Sequence, residues 1–125
     1  MNTIGYFEIQ ADNPTEAIKF YAEIFDWKFT KQEGLPIEYY QIKTDGINGG
    51  LLKRPAKTPP PMHGTNAYVC SIEVEDFDKT SGKILKNGGI VALEKFAIQG
   101  KCWQGYFLDT EGNTFGIFQV DAKAA

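Results

Sequence analysis

The chain has 125 residues, 42% of them hydrophobic and 23% charged, with a formal net charge of −3 at pH 7. That length and apolar content can bury a real core and favour one compact domain over residues 1–125 rather than two independent ones. The mildly acidic balance, spread without blocks or a basic patch, argues against nucleic acid as a partner, and the lack of a long apolar run argues against a membrane span.

The N-terminal stretch MNTIGYFEIQ has neither a positive start nor an apolar signal core, so a cytoplasmic protein is expected. From residue 6, YFEIQADNP alternates apolar and polar side chains, the period of a half-buried strand, and ends in residues able to cap a helix. PTEAIKFYAEIFDW follows as that helix, with Pro14 behind a capping Asn13 and Ala17, Ile18, Phe20, Tyr21, Ile24 and Phe25 on one stripe. Three strand-like runs come next, WKFTKQE, EYYQIKT and GGLLKR. The Pro-rich RPAKTPPPMHG then forms a joint. It contains the only histidine, His63, which reads as a loop residue. The series restarts at residue 69 with VCSIEVEDF, another alternating strand ending in acidic residues, and FDKTSGKILKNGG, a shorter helix stopping at Gly88 and Gly89. Three more strand-like runs close it, GIVALEKFAIQ, CWQGYFLDT and TFGIFQV. Cys70 and Cys102 form no metal or redox spacing and are expected to be reduced.

The two halves are copies. TDGINGGLL from residue 44 and TEGNTFGIF from residue 110 share Thr, an acid, Gly and a second Gly four places on. Ile9 to Asn13 likewise match Ile72 to Asp76. The unit is strand, helix and three strands, and one such unit cannot bury its sheet face alone. The expected architecture is α+β: two βαβββ modules in tandem, about 1–54 and 65–121 around a joint at 55–64, whose curved mixed sheets enclose a cavity.

This duplication, with FEIQADNPTEAIKFYAEIFDWKF at the start, NGG after the second helix and FLDTEGNTFGIFQ near the end, resembles the vicinal oxygen chelate superfamily over Ile4 to Val120. That superfamily includes glyoxalase I, bleomycin-resistance proteins and extradiol dioxygenases. Its metalloenzymes hold a divalent ion with His, Glu or Gln from the first and last strand of each module. Carried onto this chain, the resemblance places those four ligands at Tyr6, about Gly50, Val69 and Gly116. Gly and Val have nothing to coordinate with, so no metal and no other cofactor is expected. A relocated ion would have to use Glu8, Gln10 or Glu73.

The side chains left for a ligand cavity are Tyr6, Glu8 and Gln10 from the first strand, and Ser71 and Glu73 from the fifth. They lie opposite Phe7, Ile9, Cys70, Ile72 and Val74, which should pack under the helices. Trp103 is a rim candidate, and Gly50 and Gly116 would allow close approach of a ligand or of backbone, or merely relieve crowding. Tyr39 and Tyr40 are neighbours on one strand, so one of them faces the cavity. Three functions fit the residues. The first is a metal-independent binder of a small organic molecule, its acidic and aromatic cleft suited to a cationic or planar ligand. The second is a lyase, isomerase or dioxygenase-type enzyme with a non-standard metal or a carboxylate base such as Glu8 or Glu73. The third is a regulatory module with a vestigial cavity. The first is preferred. A homodimer is expected because curved sheets with free edges often pair between chains.

Overall fold

The structure, a computed structural model, describes residues 1–57, 67–110 and 113–125. His63 with most of the joint, and Glu111 and Gly112 of the second turn motif, lie outside the described residues. The elements run β1 (Thr3–Ala11), α1 (Pro14–Phe25), β2 (Lys28–Lys31), β3 (Tyr39–Lys43) and β4 (Gly49–Lys53), then β5 (Val69–Glu73), α2 (Phe77–Lys86), β6 (Ile90–Ile98), β7 (Cys102–Leu108) and β8 (Thr114–Val120). The chain is therefore α+β, a βαβββ unit used twice.

Both helices start where the sequence supplies a cap. The Asn13 side chain accepts a hydrogen bond from the Glu16 amide at 3.2 Å, and Asp76 accepts one from the Lys79 amide at 3.0 Å. Their ends differ. After α2 the turn passes through Gly88 at φ 95°, as the NGG motif anticipates, whereas α1 is stopped by Asp26 in the left-handed region at φ 58°. A short polar side chain tolerates that conformation better than most, and no glycine announces the stop.

Within the unit Tyr6–Tyr68, β1 pairs with β4 in parallel, and β3 pairs antiparallel with both β4 and β2. Ile9, Ala11, Ile42 and Leu51 form its buried core, and Ala17, Ile18 and Tyr21 of α1 pack on it together with Phe7, Trp27 and Tyr40. The other unit comprises Val69–Ala125 and the first five residues. In it β5 pairs with β8 in parallel, and β7 pairs antiparallel with β8 and β6. Val74, Phe77, Phe107 and Ile117 form its core, with Ile72, Ile84, Trp103 and Phe115 around them. Met1–Gly5 belong here for two visible reasons: the Asn2 amide donates to the Glu73 carbonyl at 2.8 Å, and the Phe118 ring stands 2.9 Å from where a Gly5 Cβ would be.

The strand phase read from alternation holds in both units. Phe7, Ile9 and Ala11 face α1, and Ile72 and Val74 belong to the core under α2. That leaves Tyr6, Glu8 and Gln10, and separately Ser71 and Glu73, on the open faces of their sheets.

Candidate functional site

On the open face of the first unit, register brings the predicted residues together. Glu8 lies opposite Gly50, and Gln10 opposite Leu52, which in turn lies opposite Tyr39. Tyr40 packs against the α1-side core, so Tyr39 is the tyrosine on the open face. Its hydroxyl donates to Glu8 Oε2 at 3.0 Å and is 2.8 Å from the Tyr6 hydroxyl. A tyrosine has one hydroxyl proton. With that proton given to Glu8, Tyr6 must be the donor to Tyr39, and the chain runs Tyr6 to Tyr39 to the Glu8 carboxylate. Burial, followed by the charge of Glu8 and the neighbouring Tyr6, pushes the Tyr39 hydroxyl far above the ordinary tyrosine range. It stays a neutral donor under all physiological conditions.

Gly50 explains why this cluster fits. A Cβ at Gly50 would stand 1.9 Å from the Tyr39 hydroxyl oxygen and 2.3 Å from its ring carbon Cζ. The space a side chain would need is filled by Tyr39. In the second unit Ser71 lies opposite Gly116, and a Cβ there would stand 2.3 Å from Ser71 Oγ and 2.7 Å from Gln104 Nε2. Gln104 donates to Ser71 Oγ at 3.3 Å and to the Gly105 carbonyl at 3.3 Å. Ser71 and Gln104 are both buried, at 1% and 5% exposure, so this cluster is sealed, whereas Tyr6, Glu8 and Gln10 keep part of their surface in solvent. Glu73 is half-buried opposite Phe118.

Trp103 is not on this face. It shares the α2 side of β7 with Phe107, packs around the second core, and donates from Nε1 to Asp121 at 3.0 Å. The Lys95 ammonium sits 4.7 Å above its ring and 5.4 Å from the Phe77 ring, while bridging to Asp78 at 3.0 Å. A protein cation thus occupies one face of this rim candidate. The lysine-supported Asp121 carboxyl is held below its usual range, by the Lys123 amide first and the Trp103 indole second. Burial raises the Cys102 thiol, which disfavours the thiolate a nucleophile requires.

The metal of the superfamily's enzymes has no fit here. Of the four positions, Gly50, Val69 and Gly116 carry no donor atom, and the space at both glycines is taken by Tyr39 and by the Ser71–Gln104 pair. Among the described residues no three His, Cys, Asp or Glu side chains are grouped to hold an ion.

Sequence reasoning left Tyr39 undecided and missed Gln104. The signal for both was register: each lies across from the residue two beyond its glycine, Leu52 or Phe118, and so leans over that glycine. It also missed a groove of about 760 Å³ on the first unit, walled by Phe7, Phe25, Trp27 and Tyr68 with Lys43 and Ile47 at its edge. The Tyr68 hydroxyl meets that of Tyr21 at 2.6 Å, and burial together with this bond raises it to about 12.

Comparison with known proteins agrees with the duplicated architecture. A glyoxylase-like domain-containing protein from Didymella fabae is 29% identical over 122 residues, covering 91% of each chain. A hypothetical protein from Bacillus halodurans superposes with a TM-score of 0.73 at 13% identity, over 98% of this chain and 97% of that one. A Streptomyces coelicolor methylmalonyl-CoA epimerase variant in complex with 2-nitronate-propionyl-CoA gives 0.66 at 13% identity, over 100% and 99%. At such identities these likenesses establish the fold. Residues 3–117 match the family described as the Glyoxalase/Bleomycin resistance protein/Dioxygenase superfamily, and the chain, a doubled βαβββ unit, belongs to that superfamily.

Proposed function

We propose that the protein binds a small organic molecule, cationic or planar, on the Tyr6–Glu8–Tyr39 face without a catalytic metal, and that it acts as a single-domain homodimer in the cytoplasm. The observation that carries this reading is the hydrogen-bonded chain ending on the Glu8 carboxylate. Tyr39 spends its proton on Glu8 and accepts from Tyr6, so the one negative charge of the cluster, the Glu8 carboxylate, is held in a fixed position beside two neutral aromatic rings. An ammonium or a flat heteroaromatic cation gains Coulomb attraction to the carboxylate and attraction to the ring faces together. Gln10, half-buried on the same face, adds an amide for orientation.

Thermal-shift and calorimetric titration with quinolinium and acridinium salts, beside neutral and carboxylated ring systems of the same size, tests this. Cations should raise the melting temperature, and Glu8→Gln should weaken them by about tenfold, the value of one lost interaction of about 1.4 kcal/mol. Equal affinity for the carboxylated series, or an unchanged affinity in Glu8→Gln, would overturn the reading.

Support for the dimer comes from Ile90, Leu93, Phe96 and Ile98 of β6 and Val120 of β8, all exposed large hydrophobics. Register puts them on the sheet face opposite α2, across from Leu108, Tyr106, Gln104 and Cys102. A contiguous apolar strip of that kind is what subunit contacts cover. Sedimentation at tens of micromolar should give twice the 14.0 kDa chain mass. Two free thiols accord with a reducing compartment.

A second reading has one observation in its favour. Glu8 sits 3.0 Å from a neutral tyrosine hydroxyl, an arrangement in which the carboxylate can take a proton from carbon and, once protonated, releases the Tyr39 hydroxyl to donate to the negative charge left on the substrate. The neighbour named methylmalonyl-CoA epimerase suggests an acyl thioester as the compound to try. Deuterium incorporation from heavy water into such a thioester, lost in Glu8→Gln, would favour the isomerase.

A further inference from the structure

We infer that Tyr39 is the residue that bars a divalent ion from the first unit: it fills the position from which a β4 acid would reach, so that glycine at 50 and tyrosine at 39 form a coupled pair. Absence of ligands would by itself leave an empty, wettable site that two substitutions could refill. The structure contains something else. The Tyr39 oxygen lies 1.9 Å from the Gly50 Cβ position, and two ring carbons lie within 2.7 Å of it, so no side chain of any kind coexists with this rotamer. Tyr39 is not free to swing aside. It holds Glu8 and Tyr6 through one hydroxyl, and its displacement would break both bonds at once.

The second unit repeats the arrangement at the same pair of positions. Glu8 is opposite Gly50 as Ser71 is opposite Gly116, and Tyr39 lies across from Leu52 as Gln104 lies across from Phe118, two residues past each glycine. In both units a polar side chain from the third strand leans over the glycine and bonds to the first strand. Chance crowding at one glycine would not recur at the matching register of the other. The tyrosine of the first unit therefore determines that the face takes organic ligands and refuses metal, whichever small molecule it binds.

The test compares Tyr6→His/Gly50→Glu with Tyr6→His/Tyr39→Ala/Gly50→Glu. Together with native Glu8, either set offers three donors from one unit, enough for Zn²⁺ or Ni²⁺. Calorimetry with ZnCl₂ and the visible spectrum with NiCl₂ should show about one ion bound in the triple variant and none in the double. The triple variant should also melt higher with Zn²⁺ and lower with a chelator. Equal uptake by the double variant, or none by a folded triple variant, would overturn the inference. Urea unfolding of Gly50→Ala on the native and Tyr39→Ala backgrounds supplies a reading independent of how well either metal variant folds. On the native background the folding constant should fall about tenfold or more, and on Tyr39→Ala by far less; equal losses would refute the coupling. Retained cation binding by the wild type leaves the ligand proposal standing if this one fails.

Discussion

Tyr39→Phe removes one hydroxyl and should reveal itself in how stability depends on pH. At neutral pH the variant loses the bond to the Glu8 carboxylate and the bond from Tyr6, leaving a partly buried charge with one donor fewer. A hydrogen bond to a charged group is worth about 1.5–3 kcal/mol, so wild type should be more stable by about 2 kcal/mol. Above pH 9 the gap should narrow. In the unfolded chain a tyrosine releases its proton near 10, whereas Tyr39 in the folded protein is raised far beyond that by burial and by Glu8. From there the unfolded state binds fewer protons than the native state, so stability falls as pH rises, by up to about 1.4 kcal/mol per unit for this one group. Phenylalanine has no such proton. Groups that do not touch Tyr39 are common to both proteins and cancel in the difference. Urea unfolding at 25 °C should therefore show the advantage of wild type over Tyr39→Phe shrinking by about 1.4 kcal/mol between pH 9 and 11. A pH-independent gap would mean that Tyr39 ionises as easily folded as unfolded, and the account of the buried cluster would be wrong.

In the second unit, Gly116→Ala would drive a methyl to 2.3 Å from Ser71 Oγ in a fully enclosed place, and should cost about 2–3 kcal/mol by chemical denaturation, with Ser71→Gly recovering part of it. Ile9→Asp buries an unpaired charge among Ala11, Ile42 and Leu51, so its circular dichroism at 25 °C should be that of an unfolded chain. Lys95→Met keeps the aliphatic stem but removes the ammonium from the Trp103 and Phe77 rings and from Asp78; a loss of about 1 kcal/mol, with a change in tryptophan emission absent from Lys101→Met, is the expected result.

What the sequence by itself determined is whatever depends on a few consecutive residues. Alternation in 6–13 and 69–76 set which side chains go under the helices, because a strand turns over every second residue and one face of each sheet is buried. Asn13 and Asp76 marked the helix starts because a cap bonds within three residues. The repeat of TDGINGG and TEGNTFG disclosed the duplication, and with it the α+β class and the family. Tertiary structure alone decided the rest. Neighbouring Tyr39 and Tyr40 obey the same local rules, and only the pairing of β3 with β4 put one over Gly50 and the other, partly buried, against the α1-side core. Trp103 is a rim candidate in a polar stretch by sequence, and only the strand phase of β7 put it on the α2 side of its sheet, under the Lys95 ammonium. Gly50 and Gly116 could be read as openings for a ligand or as relief of crowding, and only their partners, 11 and 12 residues upstream at Tyr39 and Gln104, decided it by closing over them. Which strand lies beside which, and at what register, is settled by how whole sheets bury their apolar faces, and that balance is not written in any short stretch of the chain.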